Sequence, residues 1–232
     1  MNGRLREVPR LQHPRRSLGR MTMGSKIAVA VLTLWFFGIM AFGQVQTPSC
    51  RTALLIIDVQ NAWAANARAL TIDRVRIASK TAEIAAAARA AGIPVIIIID
   101  ASMRGQTSEW GLALVDPLEA LEGDVVVEKR YQNGFVRTSL GSQLESLGVG
   151  TLLISGFASD ECVRATVEGA LWGGFEVIIL EDGHSGGDGG RTAAEMNESW
   201  RARGLQVIAS TDLEWASLCT AVEPESGQPE DE

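Results

Sequence analysis

Apolar residues along this chain fall in short unbroken runs separated by helix-length segments. Thr52-Ala53-Leu54-Leu55-Ile56-Ile57 is continuous and ends at Asp58. A run without polar alternation fits a strand buried on both faces of a parallel sheet. Five more runs follow, at Val95–Ile99, Asp124–Lys129, Thr151–Ser155, Phe175–Leu180 and Leu205–Ala209. Between the first two lies an Ala-rich segment, Ile72–Ala91, with helical spacing; Gly92 and Pro94 mark its stop. Thr138–Leu147 reads as a short helix with Thr138 as N-cap, Val163–Trp172 as a helix opened by Cys162, and Arg191–Arg203 as a further helix. Asp58–Trp63 and the glycine-containing stretches 101–123 and Glu181–Gly190 read as loops. Strands alternating with helices predict an α/β fold: three layers, a six-stranded, mostly parallel Rossmann-like sheet, and helices on both faces.

In such sheets functional groups collect at the carboxyl ends of strands. Asp58 follows the first strand, Lys129 ends the third, and Cys162 follows the fourth. The turn Gly156-Phe157-Ala158-Ser159-Asp160-Glu161-Cys162-Val163 would set a thiol at a helix start. That placement lowers a thiol pKa and offers backbone donors to an oxyanion. Each residue also has an ordinary reading: Asp58 as a turn cap, Lys129 as a solvated edge charge, Cys162 as core. Acid, base and nucleophile at one sheet edge favour chemistry.

Charge is unevenly divided. Residues 1–43 hold seven basic residues and one acid, which leaves 14 basic and 27 acidic residues in the remainder. An acidic body without a basic stripe argues against nucleic acid as a partner. Within the first 43 residues, Lys26 precedes the apolar run Ile27–Phe42, and Ala41-Phe42-Gly43 supplies small residues before Gln44. This reads as a secretory signal or leader, so an exported protein, periplasmic or secreted, is expected. An uncleaved N-terminal membrane anchor is the alternative. The long basic prelude leaves open a start at Met21 or Met23, or a twin-arginine signal at Arg15-Arg16. Residues 44–222 form the expected folded domain. Residues 223–232, with five acids and two prolines, read as a disordered tail. Cys50 and Cys219 flank the domain and could pair in an oxidising compartment, leaving Cys162 as the odd thiol. Unpaired thiols are the reading slightly favoured.

Three motifs in order, Leu55-Ile56-Ile57-Asp58-Val59-Gln60-Asn61, Val126-Val127-Glu128-Lys129 with Phe135 and Thr138 downstream, and Gly156–Val163, resemble the isochorismatase-like cysteine hydrolase superfamily. This group includes nicotinamidases and N-carbamoylsarcosine amidase. The resemblance spans about residues 52–211. It implies an Asp58–Lys129–Cys162 triad, a cis peptide between Phe157 and Ala158, and an oxyanion hole made by the N–H groups of Ala158 and Cys162. It further implies a homo-oligomer, and hydrolysis of a small amide through a Cys162 thioester, with no cofactor.

Two departures narrow the expectation. Nicotinamidases of this group hold a metal with an acid and histidines after the second strand. Here that region reads Asp100-Ala101-Ser102-Met103-Arg104-Gly105-Gln106, without histidine. Only His13 and His184 exist, and His13 lies in the leader. No metal site is expected, and His184 reads as structural or pocket-lining rather than catalytic. Isochorismatases proper lack the nucleophilic cysteine. Amide, ureide or carbamoyl hydrolysis remains. Trp63, Phe135, Phe157 and Glu161 are the expected pocket walls, with Trp110 less firmly placed. Glu161 would either favour a cationic substrate or face solvent. A non-catalytic, ligand- or partner-binding member of the fold is the competing reading. A redox thiol would need a resolving cysteine, and no C-x-x-C exists here.

Overall fold

The computed structural model describes residues 50–66, 69–70, 72–186 and 190–219, all within the unit 45–232. Residues 1–43, expected to be a leader, and 223–232, expected to be a tail, lie outside the described residues.

Six strands form one sheet: β1 (Thr52–Ile57), β2 (Val95–Asp100), β3 (Val125–Lys129), β4 (Thr151–Phe157), β5 (Glu176–Ser185) and β6 (Gln206–Ile208). Their order is β3-β2-β1-β4-β5-β6, and every neighbouring pair is parallel. The four longer helices are α1 (Ile72–Ala90), α2 (Leu140–Ser146), α3 (Arg164–Trp172) and α4 (Ala193–Ala202).

The central strand explains the layering. All six residues of β1 are buried. Successive side chains point to opposite faces. Leu54 and Ile56 pack with Ile77, Ile84, Ala85 and Ala88 of α1. Ala53, Leu55 and Ile57 pack with Leu140 and Leu144 of α2, Val167 and Ala170 of α3, and Met196 and Trp200 of α4. Each fully buried Leu or Ile contributes roughly 1.5–3 kcal/mol over an exposed one.

The strand ends depart from the sequence pattern. β4 continues through Phe157, and β5 runs five residues past Leu180, across a stretch read as loop. Gly156 pairs with His184 and Phe157 with Ser185. The register shifts between Ile154 and Gly156. There Ser155 Oγ donates to the Gly183 carbonyl at 2.6 Å and lies 3.0 Å from Thr81 Oγ1. Polar and glycine residues hide this part of the strand from a hydrophobic pattern. Tertiary hydrogen bonds specify it instead. Similarly, Thr138 donates to the Gly134 carbonyl and accepts from Leu140 N–H, but α2 begins only at Leu140.

Cys50 and Cys219 form a disulfide across 169 residues, contrary to the unpaired reading. The segment Trp215–Cys219 returns beside β1, where Thr52 Oγ1 donates to the Leu218 carbonyl at 2.9 Å, a contact that linear spacing does not reveal. Closing so long a loop restricts the unfolded chain, an effect of about 2–5 kcal/mol. Cys219→Ser is therefore expected to lower the melting temperature by roughly 5–15 °C. An unchanged melting temperature, with the wild type confirmed oxidised by mass, would contradict this.

Candidate active site

The site is built where β1, β3 and β4 end. Asp58 directly follows β1 and adopts φ +54°, a left-handed conformation that aspartate tolerates better than most residues. Its N–H donates to the Ile98 carbonyl at 3.0 Å and its own carbonyl accepts from Gln60 N–H at 2.7 Å. Gln60 and Asn61 then stitch this turn to the segment after β2. Gln60 donates to the Leu112 carbonyl and accepts from Asp100 N–H. Asn61 donates to the carbonyls of Trp110 and Leu114.

Lys129 ends β3 and is 1% exposed. Its Nζ lies 2.7 Å from Asp58 Oδ2, 3.3 Å from Cys162 Sγ and 3.9 Å from Asp100 Oδ2. Burial pulls the Lys129 pKa down, but Asp58, Cys162 and Asp100 outweigh it and hold the pKa above the ordinary value. Burial raises the Asp58 carboxyl to about 6, against the opposing pull of Lys129. The Cys162 thiol is pushed up to about 12, by burial first and the Asp58 carboxylate second. This reverses the expectation of a thiol acidified by a helix start. The chain kinks at Glu161 (φ −119°, ψ −106°), and Val163 and Arg164 are already helical, so Cys162 does stand at the helix start, where burial outweighs the helix. The proton therefore rests on sulfur, and Asp58, joined to Cys162 through the shared Lys129 ammonium, is the available base.

The turn carrying Cys162 is sterically specified. Gly156 has φ +132°, and a Cβ there would stand 2.1 Å from the Ile57 carbonyl oxygen. Only glycine fits this approach. The Phe157–Ala158 peptide is cis. Glu161 and Val163 N–H both return to the Ala158 carbonyl, at 3.0 and 3.1 Å. These bonds close the turn without using the N–H groups of Ala158 or Cys162.

A cavity of about 40 Å³ opens beside the thiol, lined by Asp58, Trp63, Arg74, Phe157, Ala158, Glu161 and Cys162. Trp63, Phe157 and Glu161 are among the lining residues, and Glu161 is exposed. Phe135 is not among them. Gly134 N–H donates to Thr166 Oγ1, which turns the chain away from Lys129, and Phe135 packs 5.7 Å from Phe175 beside α3. Trp110 is 57% exposed and meets Asn61 through its carbonyl. Arg74 was not anticipated. It belongs to the first turn of α1, is buried, donates to the Trp63 carbonyl and lies 5.8 Å from the Phe157 ring centroid. Nothing in its local sequence distinguishes it from a solvated helix arginine.

Residues 52–212 match the isochorismatase domain. The chain belongs to the isochorismatase family. An isochorismatase-family relative, ureidoacrylate amidohydrolase RutB of Methylobacterium radiotolerans, is 30% identical over 77% of this chain and 80% of its own length. Streptothricin hydrolase of Streptomyces noursei is 35% identical over 57% of this chain, but the match spans only 49% of that protein. Among solved structures, N-carbamoylsarcosine amidase from Thermoplasma acidophilum superposes with a TM-score of 0.61 at 24% identity, covering 71% of this chain and 99% of that one. That likeness establishes the fold.

In this family member, the buried ammonium balances two buried carboxylates. Lys129→Met should cost about 3–5 kcal/mol in urea unfolding at neutral pH. The loss should shrink in acid, where Asp58 is protonated. A loss under 1 kcal/mol at neutral pH would show that the pair is not what holds the site.

Proposed function

We propose that this protein is a cysteine amidohydrolase that cleaves a C–N bond of a small amide, ureide or carbamoyl compound. The observation that carries the reading is that Asp58 and Cys162 line one cavity while the buried Lys129 Nζ contacts both, 2.7 Å from the carboxylate and 3.3 Å from the sulfur. Names of relatives, a ureidoacrylate amidohydrolase and an N-carbamoylsarcosine amidase, support the same bond type. The narrow cavity suits a substrate that inserts only its reacting group.

The chemistry follows from where protons rest. Asp58 takes the thiol proton as sulfur attacks the carbonyl carbon. The carbon–sulfur bond forms, and the carbonyl electron pair moves to oxygen. The N–H groups of Ala158 and Cys162 are the donors proposed for that oxyanion. When the electron pair returns, the C–N bond breaks and Asp58 delivers its proton to the leaving nitrogen. Water then attacks the thioester. Asp58 accepts the water proton and returns it to sulfur. Lys129 keeps its charge throughout and steadies whichever of Asp58 or Cys162 is anionic.

Export is part of the proposal. It is supported by the basic-then-apolar leader and by the Cys50–Cys219 disulfide, which persists in oxidising compartments. A homo-oligomer is also proposed, on family resemblance alone.

An ammonia- and amine-release screen over small amides, ureides and carbamoyl compounds tests the activity, with Cys162→Ala as control. Activity on at least one member, lost in the control, is expected. Release that survives Cys162→Ala would overturn the reading. With a substrate in hand, kcat/KM should rise with pH through an apparent pKa near 6, because Asp58 must be ionised to act as base. Asp58→Asn should abolish thioester formation, while His184→Ala should leave it slowed but substantial against that complete loss. The reverse pattern would move the base to His184.

A further inference from the structure

His184 is buried, lies outside the cavity lining, and yet is wired to the turn that carries the nucleophile. Its ring meets Trp200 edge-on, with centroids 5.2 Å apart. Its Nδ1 is 2.7 Å from Ser159 Oγ and its Nε2 is 2.9 Å from Asn197 Oδ1. Asn197 Nδ2 in turn donates to the Glu181 carbonyl at 3.2 Å.

These bonds have only one consistent direction. Because the Asn197 amide nitrogen donates to Glu181, its oxygen is the acceptor facing His184. Nε2 therefore carries the ring proton, and Nδ1 is left as an acceptor. Ser159 Oγ–H then donates to Nδ1. Burial lowers the His184 pKa to about 4, so the ring is neutral at ordinary pH and this tautomer persists. The relay begins on β5 and α4 and ends on Ser159, the residue after Ala158. On the other side of the same turn, Asp160 accepts from Arg191 N–H at 2.9 Å, and its carbonyl accepts from Arg164 Nε at 3.0 Å. The turn is thereby held from both flanks by groups that do not line the cavity.

We propose that the Asn197–His184–Ser159 relay is a positioning device that sets the Ala158 N–H against the substrate oxygen. This rests on the thioester reading above. Ser159 and His184 touch neither thiol nor substrate; they act through the backbone of the turn. The Ala158 N–H belongs to the Phe157–Ala158 peptide, which is held on one side by the pairing of Phe157 with Ser185 and on the other by Ser159, drawn toward His184. The relay should therefore matter for any reaction that builds charge on a carbonyl oxygen. It should be indifferent to a reaction of the same sulfur that builds none.

Two reagents separate these cases. p-Nitrophenyl acetate acylates a thiol through a tetrahedral oxyanion, whereas iodoacetamide alkylates it by direct displacement of iodide. Both reactions are followed on Cys162 by intact mass, with Cys162→Ala as control. Ser159→Ala removes one buried oxygen and should reduce acylation by about 10-fold or more. Alkylation should stay within about 2-fold of wild type, because the nucleophile and its base are untouched. His184→Asn keeps an acceptor for Ser159 and should lose less acylation than Ser159→Ala. Parallel loss of acylation and alkylation in Ser159→Ala, or loss of neither, would overturn the proposal. Failure of the thioester reading itself has a different signature: the unmodified chain would then give no acetyl adduct on Cys162.

Discussion

A lysine ammonium almost wholly removed from water organises this site. Burying such a charge alone costs several kcal/mol, and the cost is offset only by well-placed opposite charge. Lys129 has Asp58 at 2.7 Å and Asp100 at 3.9 Å for that purpose. The requirement reaches into the fold. β3 must pair with β2 so that Lys129 stands opposite Asp100, and β1 must end at Asp58 in a left-handed turn. The same burial raises the Asp58 carboxyl to about 6 and the Cys162 thiol to about 12. One desolvated cluster thus yields a carboxylate basic enough to accept a proton and a thiol that keeps its own until a reaction begins.

A second constraint is steric. β4 approaches β1 so closely at Gly156 that no Cβ fits against Ile57. The chain then leaves the sheet through a turn that returns two N–H groups to one carbonyl, that of Ala158. Around it, Ser155, Ser159, His184 and Asn197 form buried hydrogen bonds joining β4, β5, α1 and α4. A buried polar group costs most when left unpaired. Such a network favours one geometry over many, which a reaction centre requires.

What could be read from the sequence follows the same physics. The buried inner strands announce themselves as apolar runs, and the edge strands β3 and β6, though partly exposed, keep enough apolar residues to be legible too, with Asp58, Lys129 and Cys162 at strand ends. Strand ends held by polar groups were not: residues 181–185 look like loop but pair with β4 through His184 and Ser185. The Cys162 pKa runs opposite to the helix-start expectation because sequence shows the helix that follows the cysteine, but neither the burial of the thiol nor the Asp58 carboxylate beside it. Phe135 was placed by its distance from Lys129 along the chain, whereas Gly134 and Thr166 redirect it. Arg74 reaches the cavity wall from a helix whose local pattern carries no mark of it.

The account stands on a protonated thiol held beside an ionised carboxylate. Ultraviolet thiolate absorbance, taken as the difference between wild type and Cys162→Ser across a pH titration, measures this directly. The disulfide leaves Cys162 as the only free cysteine, so the difference reports one group. The account predicts no thiolate band at neutral pH. A thiolate band already complete at neutral pH would mean a preformed ion pair with Lys129, and would contradict a site in which Asp58 is the base.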